Sequence, residues 1–233
     1  VLVFTGSGPV GRRLLVASAE SNLKRVYLEL GGKSPNIVFA DAPDLAQVAK
    51  VSAMGIFRNS GQVCVAGSRL LVQRSIHDEL VERVTAIAAR MRLGDPLDLT
   101  TEVGAVSSAR QLQRNLQAVQ AAQAEGARLC TGGEAVEPVA GGHYMQPAVL
   151  DRVAPSMTIA REEVFGPVLA VLPFDDEADA IRLANSTVYG LASAVWTGNL
   201  SRAHRMVRAI KAGVVHVNTY GGTDITVPLG GVR

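Results

Sequence analysis

The 233 residues are 48% hydrophobic and 19% charged, enough apolar matter to bury a core and too much for a disordered chain. Twenty-three Lys and Arg against 21 Asp and Glu leave a net charge of +2, too even to point to nucleic acid or an anionic membrane surface. Two cysteines are too few for a disulfide scaffold, and no apolar run reaches the ~20 residues of a membrane-spanning helix.

Short apolar runs alternate with amphipathic segments, which predicts an α/β architecture. Strands are predicted over 1–5, 25–30, 36–39, 69–73, 128–131, 145–150, 168–174, 192–197 and 214–218. Helices are predicted over 10–21, 44–59, 76–91, 107–125, 176–185 and 201–212. In the third, Ile76, Leu80, Val84, Ile87 and Met91 recur every three or four residues and form one apolar stripe. The stretch 132–143, opened and nearly closed by glycine pairs, is expected to be a surface insertion. The first strand starts without Met or a charged leader, which predicts a chain cut from something longer, and a boundary is expected near Gly31-Gly32. The cysteine usage and the missing leader together predict a cytoplasmic protein.

The first strand runs into Gly6-Ser7-Gly8-Pro9-Val10-Gly11, a GxGxxG pattern in strand–turn–helix context. A helix N-terminus presents unpaired N–H groups and partial positive charge, so a pyrophosphate can rest there. Glu29, at the end of the next predicted strand, stands where a Rossmann unit places its ribose-binding acid. A tight turn without a ligand remains the alternative.

Cys64 lies in Gly61-Gln62-Val63-Cys64-Val65-Ala66-Gly67, where small neighbours leave the sulfur approachable. A thiolate is a competent nucleophile, whereas an unpaired Cys also packs well as a small hydrophobe, the reading that suits Cys130. His77, His143 and His204 fall where exposed positions are expected, and no histidine sits in a cysteine-hydrolase context. No cluster has metal-ligand spacing, so no metal is predicted. Glu29 sits between two leucines, where burial would suit it to proton transfer. Glu162-Glu163-Val164-Phe165-Gly166-Pro167 joins an acidic pair to an aromatic and a rigid turn.

Taken in order, Phe4-Thr5-Gly6-Ser7-Gly8-Pro9-Val10-Gly11, Leu28-Glu29-Leu30-Gly31-Gly32-Lys33-Ser34-Pro35-Asn36 and Gly61-Gln62-Val63-Cys64 resemble the aldehyde dehydrogenase superfamily. Glu162-Glu163-Val164-Phe165-Gly166-Pro167, Asn185-Ser186-Thr187-Val188-Tyr189-Gly190-Leu191, Val215-His216-Val217-Asn218 and Pro228-Leu229-Gly230-Gly231 carry the resemblance to the C-terminus. It implies the catalytic domain of that α/β fold, over 31–227, with 1–30 a remnant of a Rossmann-like cofactor domain and 228–233 a truncated return towards it.

The resemblance further implies NAD or NADP as cofactor. Gly6 and Ser7 would lie near the pyrophosphate, Val10 on the adenine side and Leu30 among the cofactor contacts. Glu163 would hold the nicotinamide ribose, and Phe165 would pack near the ring. Cys64 would form a thiohemiacetal and then a thioester with an aldehyde, and Glu29, as general base rather than ribose ligand, would activate the hydrolytic water. Thr219, Thr223 and Leu229 would line the aldehyde entrance.

The family's members are much longer, so the chain resembles their C-terminal portion and is expected to turn over poorly or not at all by itself. A non-catalytic half-protein and a cofactor-independent thiol esterase are the competing functions. The expected partner is an aldehyde substrate, with no nucleic acid and no membrane, and the parent enzyme is expected to be a homodimer or homotetramer.

Overall fold

The computed structural model describes residues 1–221 and 226–232. The chain opens with β1 (Leu2–Thr5), α1 (Gly8–Ala19) and β2 (Val26–Glu29), and the two strands pair in parallel from Leu2↔Val26 to Thr5↔Glu29. Pro9 suits the first turn of α1, where its missing N–H has no helical partner to lose. Gly11 sets the helix down on the strand, because a methyl there would stand 2.9 Å from a Leu30 side-chain carbon. Val3 and Tyr27 are paired neighbours on the exposed face of this small sheet.

The rest is built on seven strands. They are β3 (Pro35–Val38), β4 (Arg69–Gln73), β5 (Arg128–Thr131), β8 (Ala148–Asp151), β9 (Val168–Phe174), β10 (Ala192–Trp196) and β11 (Val214–Val217), and they lie in the order β11-β10-β3-β4-β9-β8-β5. All neighbours are parallel except β5 and β8. Helices α2 (Leu45–Phe57) and α3 (His77–Arg90) cover one face. On the other lie α4 (Ala109–Ala124), the single-turn α5 (Thr158–Arg161), α6 (Glu177–Ala184) and α7 (Leu200–Ala209).

Burial on both faces explains why β4 reads as an unbroken apolar run rather than an alternating one. Leu70 and Val72 enter the core beneath α2 and α3, while Leu71 enters the opposite one with Ile37, Leu150 and Leu172. Asp44, Ser108, Asp176 and Asn199 cap α2, α4, α6 and α7 by accepting a backbone N–H within the first turn.

Several expectations shift in detail. The strand expected over 145–150 is two pieces, β7 (Tyr144–Met145) and β8, parted at Pro147, which has no N–H for a ladder. The expected insertion over 132–143 contains β6 (Ala135–Val136), which pairs back on β7 as an antiparallel ribbon. The second helix stops at Phe57 instead of running to 59, because Asn59, Ser60 and Gly61 take left-handed backbone.

His77 is not exposed as expected. Its side chain is 12% exposed, and Nε2 lies 3.0 Å from the buried Asp151 of β8. His143 is half-buried as well, whereas His204 is exposed on α7. Among the described residues no helix is long and apolar enough to cross a membrane, and no group of His, Cys, Asp and Glu is placed to hold a metal ion.

Candidate active site

Three loops meet at the C-terminal end of β2 and beside the start of β3, β4 and β9. The first is Leu30 to Ser34, between β2 and β3. The second follows α2 and carries Cys64. The third is Glu162 to Pro167, leading into β9.

The second loop owes its course to Asn59, Ser60 and Gly61, at φ 53°, 55° and 69°. Such a run is costly for side-chain-bearing residues, and local bonds hold it. Asn59 Nδ2 donates to the Gln62 carbonyl at 3.0 Å, and Ser60 Oγ donates to the Gly104 carbonyl at 2.6 Å. Further along, Tyr220 is buried with its hydroxyl donating to the Val65 carbonyl at 2.6 Å.

Glycines let the loops touch. A methyl on Gly31 would collide with Oε2 of Glu163, one on Gly32 with the Cys64 carbonyl, and one on Gly61 with the Gly166 carbonyl. The Gly32 N–H donates to Oε1 of Glu163 at 3.0 Å. Each loop is therefore locked to another by backbone that admits no side chain.

The electrostatics follow from burial. The Cys64 thiol is half-buried, and burial pushes its pKa up; the Val65 N–H and its own N–H draw it back, while the carboxylates of Glu163 and Glu29 add to the rise. Burial likewise lifts the Glu163 carboxyl, opposed by the Gly32 N–H and the Lys33 charge. Lys33 is fully buried and its ammonium is pulled down to about 7, first by burial and then by the neighbouring Arg69, with Glu163 and Glu162 working the other way. Its Nζ has no hydrogen-bond partner among the described residues. Arg69, also buried, donates to the carbonyls of Lys33, Leu183 and Ala184.

Beside the loops opens a cavity of about 890 Å³, within the range of small-molecule and cofactor sites. Gly6, Ser7, Leu30, Cys64, Glu163 and Phe165 all line it. Glu29 is half-buried one residue before Leu30, and its charge reaches the Cys64 thiol. Val10 does not line the cavity; it is 41% exposed on the outer side of α1. Thr219 and Leu229 are exposed and do not line it either, and Thr223 lies outside the described residues.

Sequence reading missed the far wall. Gln111, Arg114 and Gln117 line the cavity from α4, with Thr158 and Ile159 from α5. Nothing in the sequence marks them, since α4 reads as an ordinary amphipathic helix whose polar face looks solvated. Arg114 places a guanidinium, and Ser7 at the N-terminus of α1 places a hydroxyl that caps no N–H, in the same space as Glu163 and the Phe165 ring. A helix N-terminus and a basic side chain lining one space suit an anionic group.

Residues 1–233 match the model of the aldehyde dehydrogenase family. The NADP/NAD-dependent aldehyde dehydrogenase PuuC of Escherichia coli is 46% identical over 232 residues, which is 100% of this chain and 46% of that protein. The structure of the aldehyde dehydrogenase KauB from Pseudomonas aeruginosa superposes with a TM-score of 0.97 at 50% identity, covering 100% of this chain and 47% of that one. An indole-3-acetaldehyde dehydrogenase solved with NAD+ gives 0.97 at 51% identity, covering 99% and 47%. The chain thus spans about half the length of the relatives it matches.

Proposed function

The chain belongs to the aldehyde dehydrogenase family, and from that premise we propose that it carries the nucleophile and base of an NAD(P)-dependent oxidation of an aldehyde to a carboxylic acid. The observation that carries this reading is one cavity shared by the Cys64 thiol, the Glu163 carboxylate, the Phe165 ring and the Gly6-Ser7 turn.

In this reading Gly6 and Ser7 receive the pyrophosphate of NAD or NADP, with Leu30 beside it. Glu163 holds the nicotinamide ribose and Phe165 packs near the ring. Val10, outside the cavity on α1, serves the adenine side. The bound nicotinamide supplies the hydride acceptor.

The chain's own residues do the rest. Cys64 Sγ, as thiolate, adds to the aldehyde carbon, and the oxyanion so formed accepts a hydrogen bond from the Cys64 N–H. Oxidation leaves the acyl group on Cys64 as a thioester. Glu29 takes a proton from water, the hydroxide adds to the acyl carbon, and the C–S bond breaks to release the acid and the thiolate. Glu29 is what makes this a hydrolytic reaction.

Residues 1–30 belong in this scheme with the cofactor-binding part, 31–227 with the catalytic part, and 228–233 with a return towards the former. Thr219, Thr223 and Leu229 are assigned to the aldehyde entrance. Since the chain spans about half the length of its relatives, turnover by these residues alone is expected to be weak. The parent enzyme is expected to be a cytoplasmic homodimer or homotetramer.

The test is aldehyde-dependent reduction of NAD and NADP by the purified chain beside its Cys64→Ala variant. A signal lost with Cys64 supports the assignment, and turnover that survives the substitution refutes it. Hydrolysis of an activated ester without cofactor reads the nucleophile and base separately from the hydride step.

A further inference from the structure

Phe165 is presented to the cavity by a backbone that its side chain disfavours. Its φ is +57°, in the left-handed region that residues other than Gly, Asn and Asp rarely occupy, and the residue is 39% exposed. A turn of this kind reverts unless its surroundings hold it.

The holding contacts come from α4. Gln111 Nε2 donates to the Val164 carbonyl at 2.9 Å and to the Phe165 carbonyl at 3.2 Å, while Asn115 Oδ1 accepts from the same nitrogen at 2.8 Å. One amide nitrogen with two hydrogens thus serves three acceptors, and the third, one helical turn away, aims the other contacts at the loop. Asn115 is fully buried and packs directly under Gly166, where any methyl would collide with its amide. Its Nδ2 has no partner among the described residues. A buried amide half-unsatisfied is costly, so Asn115 is an expensive filler unless its oxygen has work to do.

We propose that Gln111 and Asn115 form a brace that holds the Val164–Phe165–Gly166 turn in its left-handed form, and are positioning residues for Phe165 and Glu163. The brace rests on the reading above that these two face the nicotinamide half of the cofactor. Gln111 reaches the two carbonyls on either side of the strained residue, and Asn115 fixes Gln111 while blocking collapse of Gly166 onto α4. Lys33 acts on Glu163 at its carboxylate, through its charge. The site is therefore held from both sides, by the Gly32 N–H on the carboxylate and by α4 on the backbone that follows it.

The experiment is NMR of the full chain labelled with ¹³C and ¹⁵N on phenylalanine, for the wild type, Gln111→Met and Asn115→Ala. In the wild type the Phe165 Cα and Cβ shifts carry the left-handed signature. Both variants should lose it, while Phe39 and Phe174, which pack ring to ring at 5.0 Å in the core, keep their shifts. A retained Phe165 signature overturns the brace. Movement of Phe39 and Phe174 as well overturns the positioning role, since the two residues then support the fold at large.

NADH binding, followed by its fluorescence, supplies the second readout. Asn115 does not line the cavity, so weaker binding by Asn115→Ala, about fivefold or more from the left-handed cost alone, reports positioning and not lost contact. Unchanged affinity with a lost signature overturns the link to the cofactor. No binding by the wild type overturns the cofactor reading for this chain, and the shifts still decide the brace.

Discussion

The N–H of Gly32 donates to Oε1 of Glu163 at 3.0 Å, joining segments 131 residues apart in the chain. Beside that bond the α-carbon of Gly31 lies against the other carboxylate oxygen, with no space between them for a methyl group. A carboxylate in the cavity is thus oriented by backbone on two sides, and glycine is required for packing, since neither residue has a positive φ.

Gly31→Ala should push the Glu163 carboxylate off the Gly32 N–H. The atoms in the way are the free end of a flexible side chain, so the cost in stability should be small, while the displaced carboxylate should weaken NADH binding about tenfold. Urea denaturation and NADH fluorescence titration measure the two effects. Wild-type stability together with wild-type affinity would show that the carboxylate has other room.

The charges facing Cys64 make a second expectation. Glu163 raises the thiol's pKa and Glu29 adds to it, so Glu163→Gln should leave the thiol easier to ionise. Alkylation of Cys64 by iodoacetamide at about pH 8 should then quicken roughly two- to fivefold. Peptide mapping separates this label from that on Cys130. A slower reaction would place Glu163 on the side of the thiolate.

Lys33 should make stability rise with pH. Its ammonium is pulled down to about 7 in the fold from an ordinary value of 10.5, so between these values the unfolded chain holds a proton that the native one lacks. Stability increases with pH wherever that is so. Lys33→Met removes the proton from both states. Its urea midpoint should exceed the wild type's at about pH 6, with the gap shrinking towards about pH 10. A constant gap across that range would mean that the ammonium stays charged in the fold.

His77 and Asp151 should act in the opposite sense. The bond to Asp151 raises the imidazole above its ordinary 6.5, outweighing burial. Burial pushes the Asp151 carboxyl up, but contacts from His77, the Arg152 N–H and Arg128 outweigh it and hold it below its ordinary 3.8. The imidazolium's contribution is complete below 6.5 and fades as pH rises through the raised value. The carboxylate's is complete above 3.8 and fades as pH falls through the depressed value. The pair is therefore worth most between those limits. His77→Gln should cost about 1–2 kcal/mol at about pH 6 and less at about pH 9. An equal cost at both would assign His77 a packing role alone.

Local chemistry was legible where a single residue type carries it. Cys64 stood out because a thiol among small residues has few uses, and Glu29 because a carboxylate between leucines is unusual. The helices were legible because their apolar residues recur every three or four positions, as Ile76, Leu80, Val84, Ile87 and Met91 do along α3. The short α5 and the β6–β7 ribbon were not, since too few residues are involved for a period to show.

By itself the sequence determined the α/β class and the positions of the main strands and helices, and it singled out the few side chains proposed as nucleophile, base or phosphate neighbour. These depend on spacing along the chain and on functional-group chemistry. Only the tertiary structure decided that Gly31, Gly32 and Gly61 are contact points, that Lys33 and His77 are buried, and that Gln111 and Asn115 reach the Phe165 turn. The physical reason is strand order. With β3, β4 and β9 adjacent in the sheet, loops far apart in sequence emerge side by side, and burial and contact belong to that adjacency.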